Sequence, residues 1–178
     1  DKQSGSLAAR GAVPTQSVAS QSTTVFDFTA KLPGCKLWSP DTPYLYELIL
    51  RTDNDTCRTR FAMRSFTFNA ETGQAILNGK PYYMRGTNVC IYRFFEDAER
   101  GALPWNKEWV RTLHQKFKDM NWNSIRYCIG FPPEFWYDIA DELGILIQDE
   151  FPIWSLGEWP EELKAEAIAE EYTEWMRE

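Results

Sequence analysis

From Thr23 to Arg64, short apolar runs alternate with turn residues, which is the spacing of antiparallel β structure. Val25, Phe26 and Phe28 mark one strand, and 45–50 a second, with Tyr44, Tyr46, Leu48 and Leu50 on one face. Leu32-Pro33-Gly34 and Ser39-Pro40-Asp41-Thr42-Pro43 form turns between them. Asp53-Asn54-Asp55 predicts a hairpin leading into a strand at 57–63. Residues 66–77 read as strand, turn and strand around Glu71-Thr72-Gly73-Gln74, and Asn78-Gly79 accepts the positive φ angles of a tight hairpin. An antiparallel β-sandwich is the architecture this pattern suggests.

After Asn78-Gly79 the period changes. A strand is predicted at 81–87, then a helix at 107–120 with Trp109, Leu113, Phe117 and Met120 on its apolar face. A short strand follows at 124–127, then a helix at 133–143 opened by Pro133 and stopped by Gly144. Residues 145–148 form a mostly apolar strand, as a parallel sheet buried on both faces would require. A last helix spans 160–176, with Glu161 and Glu162 in its first turn and Leu163, Ala167, Ile168, Tyr172 and Trp175 on one face. The order βαβαβα predicts parallel strands joined by helical crossovers. No repeat beyond this alternation is present, and the stretch to Ser20 has only weak periodicity.

Composition narrows the function classes. Of the 178 residues 43% are hydrophobic, enough for a sizeable core. The net charge of −7 and the lack of any basic run speak against nucleic acid as a partner. No apolar stretch is long enough to span a bilayer as a helix, so no membrane partner is expected. Four cysteines without a Cys-x-x-Cys pair, and the single histidine His114, predict neither a metal site nor a cofactor. Cys35 and Cys57 either bridge in an oxidising compartment or remain as buried thiols. Asn54-Asp55-Thr56 is a glycosylation sequon with meaning only in a secreted eukaryotic protein. Aromatics reach 15%, with eight Trp, which suits both a core and a sugar-binding cleft.

Several motifs, in order along the chain, resemble glycoside hydrolase family 2, from about Thr23 to the end. Leu37-Trp38-Ser39-Pro40 with Pro43-Tyr44-Leu45-Tyr46 is similar to the last part of that family's immunoglobulin-like domain. Phe61-Ala62-Met63-Arg64 resembles its exit, with Ala62 where the family usually has Gly. Leu77-Asn78-Gly79-Lys80-Pro81 and Arg85-Gly86-Thr87-Asn88 resemble the entry to the TIM barrel, and Asn123-Ser124-Ile125-Arg126 its second strand. The run from Phe135 to Leu146, with Glu150, is similar to the second helix and third strand. The resemblance implies a partial immunoglobulin-like β-sandwich at 1–66 followed by an incomplete (β/α)8 TIM barrel at 67–178. It also implies a retaining β-glycosidase, whose two catalytic Glu residues stand roughly 5–5.5 Å apart. In the family these end barrel strands 4 and 7, so no residue of this chain takes either role, and both are expected beyond residue 178. The isolated chain is expected to be inactive and, with an open sheet edge, prone to associate.

Barrel enzymes carry their sites at the C-terminal ends of the strands. By the resemblance, Arg126 is the arginine that hydrogen-bonds the nucleophile; the alternative is a purely structural pair with Glu150. Asn88 lines the sugar subsite or merely ends strand 1. Glu150 binds substrate hydroxyls or orients Arg126, while Asp149 is a loop or supporting residue. Trp154 stacks on a sugar or packs its loop. Tyr92, Arg93, Phe94 and Phe95 fall in the long loop after strand 1, where specificity is set, although Phe94 and Phe95 also suit packing beneath the rim. Asp141 and Glu142 read as a solvated helix face, His114 as structural and without evident partners, and Trp109 and Trp136 as core. The galactosidase and glucuronidase branches have His after the strand 1 Asn and Ser-His-Tyr-Pro after the strand 2 Arg. Here Val89-Cys90 and Tyr127-Cys128-Ile129-Gly130-Phe131-Pro132 stand there, leaving the branch and the sugar open. The expected partner is an oligo- or polysaccharide, and polysaccharide-degrading members of the family are often exported, which points to the periplasm or the exterior. Two other readings remain: a non-catalytic carbohydrate-binding or scaffold protein built on the same fold, and an interaction module in the sandwich half.

Overall fold

A computed structural model describes residues 1–14, 17–150, 169–170 and 173–174. Strands β1 (Tyr46–Arg51) and β2 (Thr56–Phe61) form an antiparallel hairpin in which Tyr46 faces Phe61 and Arg51 faces Thr56. The turn at 52–55 closes with Thr52 N–H donating to Asp55 O at 2.9 Å. A meander follows, β3 (Phe66–Phe68), β4 (Ala75–Leu77) and β5 (Lys80–Tyr82), with Asn78 at φ 51° and Gly79 at φ 77° making the tight turn expected of Asn-Gly. Two expectations fail here. No strand forms around Val25, Phe26 and Phe28, whose side chains are exposed. Leu48 and Leu50 are exposed as well, so among the described residues this half contains β ribbons but not two facing sheets.

The strand expected at 81–87 is two strands. Pro81 has no N–H to extend a ladder, and residues 83–85 leave the meander to bind Asn123. The Asn123 side chain accepts from Arg85 N–H at 2.8 Å and donates to Tyr83 O at 3.0 Å. Its own carbonyl accepts from Leu146 N–H at 2.8 Å. One buried, fully bonded asparagine thus fixes the starts of three strands: β6 (Gly86–Cys90), β7 (Ser124–Cys128) and β8 (Leu146–Asp149). These form a parallel sheet in the order β6-β7-β8. A one-turn helix, α1 (Tyr92–Phe95), and the longer α2 (Lys107–Asp119) lie between β6 and β7, and α3 (Phe135–Leu143) between β7 and β8. The residues called a loop at 92–95 are therefore helical.

Helix α2 begins at Asn106, whose side chain accepts from Trp109 N–H at 3.0 Å. It buries Val110, His114 and Phe117, and its expected face is rotated: Met120 is exposed at the end. Val89, Ile125, Tyr127, Val110, Phe117, Trp136, Ile139 and Ile145 form the core between sheet and helices, with Trp109 and Leu113 packed on it. His114 sits in this core with 0% exposure and has two partners after all. Its Nδ1 lies 2.8 Å from Val110 O and its Nε2 2.7 Å from Tyr127 Oη. A carbonyl only accepts, so Nδ1 carries the proton and Nε2 receives the Tyr127 hydroxyl: the ring is neutral. Burial, the dominant effect, holds its pKa below 6.5.

Trp38 joins the two halves. Its indole is fully buried with Leu45 and Leu146, and Nε1–H donates to Asp141 O at 2.9 Å. Gly144 ends α3 at φ 77°, where a Cβ would sit 2.4 Å from Pro40 O. Arg60 of β2 reaches α3, pairing with Asp138 and, at 2.9 Å, with Glu142, which also holds Arg111. The acidic residues expected to be a solvated face are thus part of the joint. Among the described residues all four cysteines are free; none is buried and Cys57 is exposed, contrary to the buried-thiol reading. Of the helix expected at 160–176, residues 169, 170, 173 and 174 are helical, and the rest lies outside the described residues.

Candidate functional site

Side chains alternate across a strand, so the parallel register sorts them into levels. Thr87, Val89, Ile125, Tyr127 and Ile147 share the helix side, and Val89, Ile125 and Tyr127 are buried there. The opposite face carries three levels: Gly86, Ser124 and Leu146; then Asn88, Arg126 and Gln148; then Cys90 and Cys128. Trp38 covers Leu146 and closes the N-terminal end of this face. Asn88 and Arg126 are thus brought side by side on one face by directly paired positions. Asn88 is exposed and Arg126 half-buried.

Glu150 completes the group through a bulge at the end of β7. Glu150 N–H donates to Tyr127 O at 3.0 Å, and Gly130 N–H donates to Glu150 O at 3.1 Å. Two residues, Cys128 and Ile129, therefore stand opposite one. Ile129 takes φ 55° and Gly130 φ 117°. A β-branched residue rarely adopts the left-handed region, so the backbone here is strained. The Glu150 carboxylate holds the strained turn. Oε2 accepts from Ile129 N–H at 3.2 Å, and Oε1 pairs with the Arg126 guanidinium at 3.0 Å. Interaction of the Cys128 thiol with the same carboxylate lowers the Glu150 pKa and, with burial, pushes Cys128 up to about 11. The carboxylate is thus ionised at neutral pH, and the guanidinium is fixed from one side.

The other named residues fall elsewhere. Asp149 points to the helix side, where it accepts from Tyr137 Oη at 2.8 Å, and burial raises its pKa. Phe94 packs under the rim against Trp109 at 5.4 Å between ring centroids, whereas Phe95 stacks on the exposed Trp105 at 6.2 Å. Trp154 lies outside the described residues. Among the described residues no group of His, Cys, Asp and Glu is arranged to hold a metal ion, and no helix is long and apolar enough to cross a membrane. Sequence reasoning missed Cys128, Ile129 and Asn123. Period-two counting from Arg126 would have put Cys128 on its face, but the bulge beside it has no comparable signal.

Two family models match the chain: "Glycosyl hydrolases family 2" over residues 1–64 and "Glycosyl hydrolases family 2, TIM barrel domain" over residues 68–177. Among curated relatives, beta-galactosidase BoGH2A of Bacteroides ovatus is 29% identical over 152 residues, covering 83% of this chain and 16% of that protein. A beta-galactosidase of Oenococcus oeni is 30% identical over 131 residues, covering 70% and 12%. Among solved structures, a Parabacteroides merdae beta-glucuronidase superposes with a TM-score of 0.55 at 34% identity, covering 70% of this chain and 16% of that one. A Ruminococcus gnavus beta-glucuronidase in complex with D-glucuronic acid gives a TM-score of 0.58 at 28% identity, covering 68% and 21%. The chain spans 11 to 16% of the length of the first curated relatives it matches. With the matched regions, the parallel sheet is the start of a TIM barrel, and the chain belongs to glycosyl hydrolase family 2.

Proposed function

We propose that this chain forms one wall of the sugar site of a retaining β-glycosidase, with Arg126 as its central cation. The observation that carries the reading is the arrangement of Arg126. It stands on the sheet face opposite the helices, beside Asn88, and the Glu150 carboxylate fixes it from the C-terminal side at 3.0 Å. A guanidinium held in that way can donate its remaining N–H groups to a second carboxylate or to sugar hydroxyls. Its charge keeps a neighbouring carboxylate ionised, as a nucleophile must be. In this reading Glu150 orients Arg126, Asn88 contacts the sugar, and Trp154 offers a ring face to it.

The acid/base and nucleophile Glu residues are supplied by later barrel strands of a longer protein. The short share of each relative that the chain spans supports this. The domains meet at residues 66 and 67, and the first is the end of an immunoglobulin-like sandwich whose other strands lie elsewhere in the longer protein. The substrate is a β-linked oligo- or polysaccharide. The relatives' names support this class and include both galactosidases and glucuronidases.

Two assays test the reading. The longer protein should release aryl alcohol from an aryl β-glycoside with retained anomeric configuration, whereas purified residues 1–178 should not. Turnover by the 178-residue chain, or inversion by the longer protein, would overturn it.

A further inference from the structure

Two thiols share the rim of this face, and the sugar reading uses neither. Cys90 and Cys128 are paired positions on adjacent parallel strands, on the same side of the sheet, and both are half-buried. Neighbouring strands run about 4.7–4.9 Å apart, within the roughly 4.4–6.8 Å between Cα atoms that a disulfide spans. The paired register places the two side chains next to each other at the end of the sheet, beside the Glu150 carboxylate that holds Arg126. The remaining cysteines, Cys35 and Cys57, belong to the first half of the chain. We propose that Cys90 and Cys128 are a dithiol site that a small-molecule disulfide of the glutathione type oxidises reversibly to an intramolecular bridge. The inference stands on strand register and does not depend on the sugar reading.

The chemistry balances in two exchanges. The Cys90 thiolate attacks the small disulfide, forming a mixed disulfide and releasing one small thiolate. The Cys128 sulfur then attacks the Cys90 sulfur, its proton passing to the departing small thiolate, which leaves as the second small thiol. Two protein thiols are oxidised and one disulfide is reduced. Because the second thiol stands on the directly paired position, the mixed disulfide is consumed faster than it accumulates. Bridging also removes the Cys128 thiol, whose interaction with Glu150 lowers that carboxylate's pKa, so oxidation would change the groups around Arg126.

The test uses the full chain carrying Cys35→Ser and Cys57→Ser, incubated with oxidised glutathione and digested with trypsin. The expected result is a monomer lighter by two hydrogens, with the peptides 86–93 and 127–164 linked, reversed by reduced glutathione. Stable glutathione adducts on both cysteines, or links only between chains, would overturn the proposal. A second measurement covers a variant that fails to fold. Phenylarsine oxide, which needs two adjacent thiols, should protect Cys90 and Cys128 of the unsubstituted chain from maleimide, and labelling of both despite the arsenical would overturn it.

Discussion

Replacing Trp38 by Ala probes the joint on which the orientation of the two halves depends. The indole is fully buried against Leu45 and Leu146, and its N–H supplies the hydrogen bond to Asp141 O. Truncating a buried Trp costs about 3–5 kcal/mol in lost burial and cavity formation. The unmet Asp141 carbonyl adds about 1 kcal/mol where water cannot reach it. With a urea slope of about 2 kcal/mol/M, a loss of about 4 kcal/mol lowers the unfolding midpoint by about 2 M. Trp38→Phe keeps most of the apolar volume and loses the donor, so its loss should be no more than about half as large. Urea titration followed by circular dichroism measures both. A loss below about 1 kcal/mol for Trp38→Ala would refute the reasoning, because the joint would then rest on other contacts.

Acid should weaken the α2 core through His114. Its folded pKa lies below the unfolded 6.5 because of burial, so the unfolded chain binds more protons in between. Stability is then complete above pH 6.5 and falls on acidification below it, by at most about 1.4 kcal/mol per pH unit, until the lowered folded pKa is reached. Urea midpoints between pH 7 and 5 should show a steeper fall than in His114→Gln, which cannot charge; parallel curves would contradict this. Gly144→Ala should cost more than Gly79→Ala in the same titration. Both positions have φ 77°, but only at Gly144 does the added Cβ meet backbone, 2.4 Å from Pro40 O. Equal losses would show that the halves yield at that contact.

Much of the barrel start was legible because its signals are local. The helical period at 107–120, the Gly144 stop and the Asn78-Gly79 turn each depend on residues within a few positions of one another. What failed depended on partners distant in sequence. Val25, Phe26 and Phe28 have strand propensity, but propensity yields to context where, among the described residues, no neighbouring strand pairs with them. The 81–87 strand broke because Asn123, almost forty residues on, takes the backbone groups of residues 83–85. His114 gained Tyr127 and Glu142 gained Arg60 across element boundaries, which no pattern within one helix reveals. For the site, the strand-end rule and the family resemblance named Asn88 and Arg126, and the parallel register sets them side by side. The bulge that carries Ile129 was not legible, since a bulge is fixed by the neighbouring strand's hydrogen bonds.

The central claim is that Arg126, steadied by Glu150, serves a nucleophile. The most direct measurement is kcat/KM for an aryl β-glycoside in the longer protein carrying Arg126→Gln, with unchanged circular dichroism as the check on folding. The account predicts a fall of about 10²-fold or more, as for loss of one charged donor in a preorganised site. A kcat/KM within about threefold of the unsubstituted protein would contradict it, for so small a change is worth less than 1 kcal/mol of transition-state stabilisation.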